Sequence, residues 1–435
     1  MRFYAREEEL EALERIRERS ERSSAFTVLL GRRRVGKTAL MVRSAEGRRS
    51  VYLFVSRVAE PLLCEKMQKA AMEAGIEIAG SATRFRDLLK ALMISSRSDP
   101  ITVMIDEFQD LAHVNPAIYG EIQKIWDLYR DSSRINLIVS GSVHSMMTKL
   151  FEGAGEPLFG RATSKIEVRP FAIGTLKEIL ADHGGGGSPE DAVALYMLTG
   201  GVPEYVRALM DSGCRTAEDM VERAISADSV FLRDGRDLLV SEFGRDYRTY
   251  FSILQLIAGG RNRRSEISAA LGVDSGAYLR KLEAEHSLIR QSRPVFSERG
   301  GRNARWRISD MYLRFYFRFV LPNSDYVESG RLDLLARAVR EGLDEYMGRA
   351  LEDYFRQRIA EEETYTEIGG YWSRDGSVEI DAIVLNGFDG TADVIEIKKS
   401  RDRLDMRALA AKAEALGSLL DGYEVRLRGL SMDDA

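Results

Sequence analysis

The stretch Gly31-Arg-Arg-Arg-Val-Gly36-Lys37-Thr38 decides the fold of the first part of the chain. It fits the pattern G-x-x-x-x-G-K-[ST], follows an apolar run at residues 26–30 and precedes a helical pattern. A strand, a glycine-rich loop and a helix in this order surround a phosphate with backbone N–H groups and the positive end of the helix. We predict that Lys37 reaches the β- and γ-phosphates of ATP and that Thr38 ligates Mg²⁺. The residues predicted to bind the nucleotide in this stretch are Gly31, Arg34, Val35, Gly36, Lys37, Thr38 and Ala39.

A second motif closes the apolar run at residues 101–105, which ends in Asp106-Glu107-Phe108-Gln109. A hydrophobic strand that ends in Asp-Glu is the Walker B pattern of ATPases. We predict that Asp106 holds Mg²⁺ through water and that Glu107 orients or activates the attacking water. Together with the glycine-rich loop, this pair implies hydrolysis and not only nucleotide binding.

Two further positions are candidates for contacts with the γ-phosphate. The apolar run at residues 135–139 ends in Ser140-Gly-Ser142, and either serine could sense the γ-phosphate or the water. The alternative is a plain boundary between a strand and a turn. Arg161 lies just before the run at residues 165–168 and could approach the γ-phosphate, and the alternative is a solvated surface arginine.

The apolar runs alternate with helical patterns, which indicates a parallel sheet covered on both faces. We predict an α/β fold with a phosphate-loop ATPase domain and the strand order 5-1-4-3-2. A helical lid, a winged helix and an α/β domain that resembles restriction endonucleases are expected to follow. The predicted boundaries are residues 1–175 for the ATPase core, 176–245 for the lid, 246–322 for the winged helix and 335–430 for the last domain.

These motifs, with Gly200-Gly-Val-Pro-Glu-Tyr205, resemble those of the archaeal-type ATPases in the STAND branch of the AAA+ class. The resemblance covers nearly the whole chain and is most specific at the glycine-rich loop and the Walker B strand. It implies that Arg6 lies near the adenine. It also implies that Pro203 and Tyr205 belong to a helix of the small lid over the nucleotide.

A basic segment suggests contact with nucleic acid. Residues 251–320 hold 13 Arg or Lys and 6 Asp or Glu, although the whole chain has a net charge of −5. Residues 264–273 and 276–283 read as the two helices of a helix-turn-helix, and residues 286–308 as a two-stranded wing with a turn at residues 300–301. Phosphate contacts are predicted from Arg280, Lys281, Arg302 and Arg305. The alternative is a winged helix that docks protein.

The last part of the chain carries the order Glu, Asp, then Glu-x-Lys that is typical of PD-(D/E)xK nucleases. Glu352 follows a predicted helix start at Gly348, whereas Asp381 and the pair Glu396 and Lys398 lie on successive predicted strands. Because side chains alternate along a strand, Glu396 and Lys398 share one face. We predict that Asp381 and Glu396 bind Mg²⁺, that Lys398 positions a water and that Glu352 completes the site. The alternative is a nuclease-like fold that no longer cuts.

Composition excludes several classes of protein. Two cysteines cannot form a disulfide framework, and a reducing, cytoplasmic setting fits best. No run of apolar residues is long enough for a membrane span, and the N-terminus is too charged for a signal peptide. Three functions stay open: an ATP-driven switch, an ATP-regulated DNA nuclease, and a scaffold that ATP orders. The predicted partners are ATP or ADP and DNA, with a homo-oligomer or a protein partner left open.

Overall fold

The computed structural model describes residues 2–78, 80–243, 247–297 and 303–435. The chain divides into two compact units. The N-terminal unit is Ala5–Arg169, and the C-terminal unit is Pro170–Ala435 together with Met1–Tyr4. The division into four domains that the sequence suggests is finer than this and stays a prediction.

The N-terminal unit is a parallel sheet with helices on both faces. Its strands are β1 (Ala25–Leu30), β2 (Ser50–Phe54), β3 (Ile101–Asp106), β4 (Ile135–Ser140) and β5 (Ser164–Glu167). Its helices are α1 (Glu7–Ser20), α2 (Lys37–Ser44), α3 (Glu60–Glu73), α4 (Phe85–Ser95), α5 (Leu111–Val114), α6 (Ile118–Tyr129) and α7 (His144–Glu152). The sheet order is β2-β3-β4-β1-β5, which confirms the predicted order read from the other edge.

Alternate residues of each strand reach different cores. On β1, Phe26 and Val28 join a core with the helices α3, α4 and α6, whereas Leu29 packs with Leu13 of α1 and Leu40 of α2 on the opposite face. Both sets are buried on the inner strands β1, β3 and β4, which are therefore mostly apolar along their length. The edge strand β5 differs, because its residues alternate between half-buried and exposed.

The C-terminal unit begins with helices and a small antiparallel pair of strands. The helices are α8 (Ile173–Asp182), α9 (Pro189–Thr199), α10 (Pro203–Asp211), α11 (Ala217–Ala224), α12 (Val230–Phe243), α13 (Tyr247–Ala258), α14 (Arg264–Leu271), α15 (Gly276–Ala284), α16 (Met311–Phe315), α17 (Ser324–Glu328) and α18 (Leu332–Glu362). The strands β6 (Ile289–Ser292) and β7 (Arg305–Ile308) pair between α15 and α16. The turn predicted at residues 300–301 lies outside the described residues.

A four-stranded mixed sheet follows. It consists of β8 (Glu367–Trp372), β9 (Glu379–Asn386), β10 (Thr391–Lys398) and β11 (Glu424–Ser431), with α19 (Met406–Leu416) between the last two. The order is β11-β10-β9-β8, with β10 antiparallel to β9 and parallel to β11. The predicted helix start at Gly348 is wrong, because α18 is already continuous from Leu332. One glycine costs a helix only about 1 kcal/mol, and the buried neighbours Tyr346 and Met347 hold the helix in place.

One buried carboxylate connects α18 to the elements before it. Asp353 is 2% exposed and contacts Arg307 of β7 at 3.2 Å, Arg314 of α16 at 2.5 Å and Arg356 of its own helix at 3.1 Å. Burial alone would raise the pKa of Asp353, but the charges of these arginines hold it well below its usual range. The carboxylate is therefore ionised and fixes three elements of the unit at one point.

We expect Asp353→Asn to lower the free energy of unfolding by about 3–5 kcal/mol, because it leaves buried guanidinium groups without their counter-charge. Denaturant unfolding at pH 7 measures this. The exposed Asp344 of the same helix, which pairs with Lys399, provides the control Asp344→Asn, and this variant should change little.

The decrease in the free energy of unfolding caused by Asp353→Asn should also depend on pH. A depressed carboxyl pKa stabilises the fold above the ordinary value of about 4 and ceases to do so as the pH falls toward the depressed pKa. The difference between the parent chain and Asp353→Asn should therefore shrink in acid. A difference that stays constant from pH 7 to pH 3 would contradict this account.

Candidate active site

The glycine-rich loop leaves β1 and enters α2 in a conformation that needs its two glycines. Gly36 has a φ of 91°, which side chains rarely adopt. A Cβ on Gly31 would lie 2.5 Å from the carbonyl oxygen of Val168. The ammonium of Lys37 donates hydrogen bonds of 2.7 Å to the carbonyl oxygens of Gly31 and Arg32. The loop is thus closed around a buried positive charge at the start of a helix.

Arg6 ties the start of α1 to this loop. Its guanidinium is buried and donates to the carbonyl oxygens of Val35 at 3.2 Å and Arg169 at 2.7 Å. Burial lowers the pKa of Arg6, although the contact with Glu9 at 3.1 Å opposes this. Arg6 therefore supports the backbone of the predicted nucleotide-binding loop. Its predicted place near the adenine stays a prediction.

The carboxylate of Asp106 is the centre of a polar cluster at the edge of the sheet. One oxygen, Oδ2, accepts hydrogen bonds from the hydroxyls of Thr38 at 2.6 Å and Tyr52 at 3.0 Å. The other, Oδ1, accepts from the hydroxyl of Ser140 and from the N–H of Glu107 at 3.0 Å. The cluster therefore joins the glycine-rich loop to the ends of β2, β3 and β4.

Glu107 is held by a second set of contacts. Its φ of 55° lies in the left-handed region. Its Oε2 accepts from the side-chain amide of Gln109 at 2.5 Å and from the hydroxyl of Ser142 at 2.7 Å. Gly141 leaves room for the side chain of Gln109, whose oxygen would lie 2.1 Å from a Cβ at this position. The two serines thus take different partners: Ser140 contacts Asp106, and Ser142 contacts Glu107.

The residues present fit Mg²⁺ and a nucleotide. Mg²⁺ prefers oxygen ligands from few protein groups, together with phosphates and water. The hydroxyl of Thr38 and the carboxylate of Asp106 are already in contact beside the loop. The first turn of α2 adds the positive end of a helix dipole for a phosphate.

Sequence reasoning missed Tyr52 and Gln109. The Tyr52 hydroxyl contacts Asp106 from β2, and burial together with Asp106 raises its pKa, so the phenol stays protonated as a donor. A tyrosine in a buried strand beside the Asp-Glu strand was the only available signal. Gln109 was part of the quoted motif, but its side chain reaches back to Glu107 only because of the left-handed turn at Glu107.

The structure does not bring Arg161 to the glycine-rich loop, contrary to the prediction. Arg161 precedes β5, at the end where β1 begins, since the N–H of Thr163 donates to the carbonyl of Phe26. Because β1 and β5 are parallel, the loop lies at their other end. The Arg161 guanidinium instead contacts Asp127 of α6 at 3.2 Å.

Two other predicted nucleotide-binding residues lie in the C-terminal unit. Pro203 is the first residue of α10. The ring of Tyr205 is buried against Tyr312 at 4.1 Å and Phe231 at 5.3 Å between centroids. Tyr205 thus has a packing function in its own unit, and the role of both residues toward the nucleotide stays a prediction.

In the C-terminal sheet, the structure brings three of the four predicted nuclease residues together. The ammonium of Lys398 contacts Asp381 at 3.2 Å and Glu396 at 2.9 Å. Lys412 of α19, which sequence reasoning missed, contacts the other oxygen of Glu396 at 3.1 Å. Burial would raise the pKa of Glu396, but hydrogen bonds from both lysines lower it.

Glu352 is linked to this group through Arg356, which contacts its carboxylate at 2.7 Å and donates to the backbone carbonyl of Asp381 at 2.6 Å. Burial raises the pKa of Glu352, and the charge of Arg356 opposes the increase. Across the described parts of the chain, no group of three or more His, Cys, Asp or Glu side chains is placed to hold a metal ion.

The basic residues predicted to contact DNA have different surroundings. Arg280 and Lys281 are exposed on α15. Arg305 contacts Glu379 at 2.7 Å, and its guanidinium lies 4.4 Å from the ring centroid of Trp372. Arg302 lies outside the described residues.

Comparison with known proteins gives two matches to families and one to a full-length relative. Residues 3–209 match an ATPase domain found predominantly in Archaea. Residues 316–409 match a family of archaeal and bacterial proteins of unknown function. An uncharacterized protein of Methanocaldococcus jannaschii, MJECL04, is 30% identical over 97% of this chain and 94% of its own length. The chain therefore belongs to the same family as this relative, and its residues 3–209 carry the ATPase domain. The prediction of an ATPase is therefore confirmed.

One solved structure supports the fold of the chain. The Walker-type ATPase PABY2304 of Pyrococcus abyssi is 20% identical, with a TM-score of 0.55 over 73% of this chain and 96% of that one. The ORC2 protein of Aeropyrum pernix, in ADPNP and ADP complexes, is a more distant match, 17% identical, with a TM-score of 0.44 over 76% of this chain and 95% of that one. Among the described residues, none of the helices has the length and apolar composition of a membrane span.

Proposed function

We propose that this ATPase binds ATP with Mg²⁺ at residues 31–38 and hydrolyses it to ADP and phosphate, with Glu107 as the residue that activates water. The proposal rests on the different contacts of the two carboxylates at the end of β3. Asp106 is committed to the hydroxyl of Thr38, and Glu107 is held apart from it by Ser142. One carboxylate thus serves the metal and the other is available to the water.

Each residue has a separate task in the proposed reaction. Lys37 neutralises charge on the β- and γ-phosphates at the N-terminus of α2. Mg²⁺, when bound beside Thr38 and Asp106, supplies Lewis-acid neutralisation of the phosphate oxygens. Glu107 accepts a proton from the attacking water, and Ser142 and Gln109 orient its carboxylate.

We expect Lys37→Ala to abolish ATP binding measured by calorimetry, because the loop loses its central positive charge. Glu107→Gln should bind ATP like the parent chain but lose turnover by about 10²–10⁴-fold, the usual contribution of a general base. The exposed Glu73 of α3 provides the control Glu73→Gln, which should change neither. Unchanged affinity in Lys37→Ala, or unchanged turnover in Glu107→Gln, would contradict the assignment.

We further propose that residues 176–245 form a lid and that residues 246–322 form a winged helix that contacts DNA under the control of the ATPase. The exposed Arg280 and Lys281 on α15 support this proposal. The engagement of Arg305 by Glu379 and Trp372 favours the alternative, in which this region docks protein and the ATPase is a signalling scaffold.

Salt dependence separates these alternatives. Binding to a short duplex should weaken linearly on a plot of log affinity against log salt. In Arg280→Ala with Lys281→Ala the slope should fall by about 0.9 for each phosphate that the protein no longer neutralises. Arg207, an exposed arginine of α10, provides the control Arg207→Ala. Absence of binding at low salt would favour protein docking.

A second candidate function is metal-dependent DNA cleavage by residues 335–430. The convergence of Asp381, Glu396 and Lys398 supports it. Lys398 contacts both carboxylates, and Lys412 contacts that of Glu396. These contacts support the rival view of a nuclease-like site that no longer cuts. In an active site, a divalent ion must displace at least one ammonium from these oxygens.

Plasmid DNA with Mg²⁺ or Mn²⁺, with and without ATP, tests this second function. We expect nicking that needs the divalent ion and disappears in Asp381→Ala, while ATP hydrolysis by the same variant persists. The control is Asp375→Ala, which changes an exposed carboxylate in the turn between β8 and β9. Cleavage that survives Asp381→Ala would come from a contaminating nuclease, and no cleavage under any condition would favour the inactive form.

A further inference from the structure

The C-terminal unit contains a cavity of about 490 Å³ whose wall includes Arg305 and Glu352, two residues that the sequence assigns to other functions. Its wall comes from the end of α13, the start of α14, the strand β7 and the helices α16 and α18. Six arginines contribute to this wall: Arg263, Arg305, Arg307, Arg314, Arg318 and Arg349. The volume is within the usual range of a small-molecule site, about 300–1,000 Å³.

The wall also holds five carboxylates, and two of them, Glu345 and Asp353, are shared by more than one arginine. Besides Arg307, Arg314 and Arg356, the guanidinium of Arg290 also approaches Asp353, at 3.7 Å. Glu345 pairs with both Arg318 at 3.1 Å and Arg349 at 2.6 Å. Several positive charges are therefore neutralised by one negative charge at two places in the same wall.

The arginines of the wall also repel one another. Burial lowers the pKa of Arg307, and the charges of Arg356 and Arg314 add to the decrease, whereas those of Asp353 and Glu352 oppose it. An anion in the cavity would relieve this repulsion between like charges.

We propose that this cavity binds a small phosphorylated ligand of about mononucleotide size through Arg307, Arg318 and Arg349. Guanidinium groups match phosphate oxygens with paired hydrogen bonds, and a phosphate group carries more than one acceptor for several arginines. The side chains of Arg307 and Arg314 are only 21% and 14% exposed. A compact ligand can reach this depth more readily than the backbone of a DNA duplex.

The test uses the full-length Lys37→Ala chain, so that binding at the glycine-rich loop does not contribute. Calorimetric titration with adenosine 5′-monophosphate and, separately, with inorganic pyrophosphate should show saturable binding of at least one of them. Arg349→Gln in this background should weaken that binding by about tenfold or more, because the ligand loses a hydrogen bond to a charged group. A short DNA duplex is the third probe.

Arg337 provides a matched control. It lies on α18 as well, is exposed and pairs with Glu341 at 2.9 Å, and it is not part of the wall. Arg337→Gln should leave the affinity unchanged, and Arg318→Gln should repeat the effect of Arg349→Gln from a different helical segment. Failure of both small anions to bind, or equal affinity in Arg349→Gln and Arg337→Gln, would overturn the proposal. The proposal would also be overturned if the DNA duplex were the only one of the three probes to bind and Arg349→Gln weakened its binding.

Discussion

The carboxylate of Asp106 is the contact on which the N-terminal site depends. It is 7% exposed, and a buried charge of this kind is costly unless hydrogen-bond donors surround it. Thr38, Tyr52 and Ser140 supply those donors from α2, β2 and β4. Because β3 lies between β2 and β4 in a parallel sheet, both neighbouring strands end at the edge where Asp106 lies. The strand order therefore determines which side chains can reach the carboxylate that we propose as the metal ligand.

The C-terminal unit also stabilises a buried carboxylate, but it does so with charged donors. Asp353 is also a buried carboxylate, but cationic guanidinium groups surround it instead of neutral hydroxyls. Neutral donors leave the Asp106 oxygens able to exchange a partner for a metal ion, because no opposing charge is left behind. Displacement of Arg307 and Arg314 from Asp353 is costlier, since both would lose the counter-charge of a buried carboxylate. Asp353 is thus suited to holding elements together, and Asp106 to binding a metal.

The sequence was sufficient for features that depend on neighbouring residues. The strands β1 to β4 and the glycine-rich loop follow from apolar runs and from the spacing of Gly31, Gly36 and Lys37, and the strand order was predicted together with the phosphate-loop ATPase fold. It was insufficient where a side chain chooses among distant partners. Arg161 contacts Asp127 and not the loop, and Lys412 reaches Glu396 from another element. No local pattern specifies these pairs, because the fold decides which charges meet. The part of α18 before Gly348 was missed because Gly348 was taken as a helix boundary, and a single glycine is only a weak signal of such a boundary.

The surroundings of Glu107 show how a residue can be restrained and still react. Gln109 and Ser142 both donate to Oε2, and the left-handed backbone at Glu107 fixes the direction from which they do so. A carboxylate has about four lone-pair sites on two oxygens, so Oε1 retains capacity for a water. Holding one oxygen orients the other, and an oriented base loses less entropy when the water is activated. The Ser-Gly-Ser sequence after β4 serves this arrangement: the first serine fixes Asp106, the glycine makes room for Gln109, and the second serine orients Glu107.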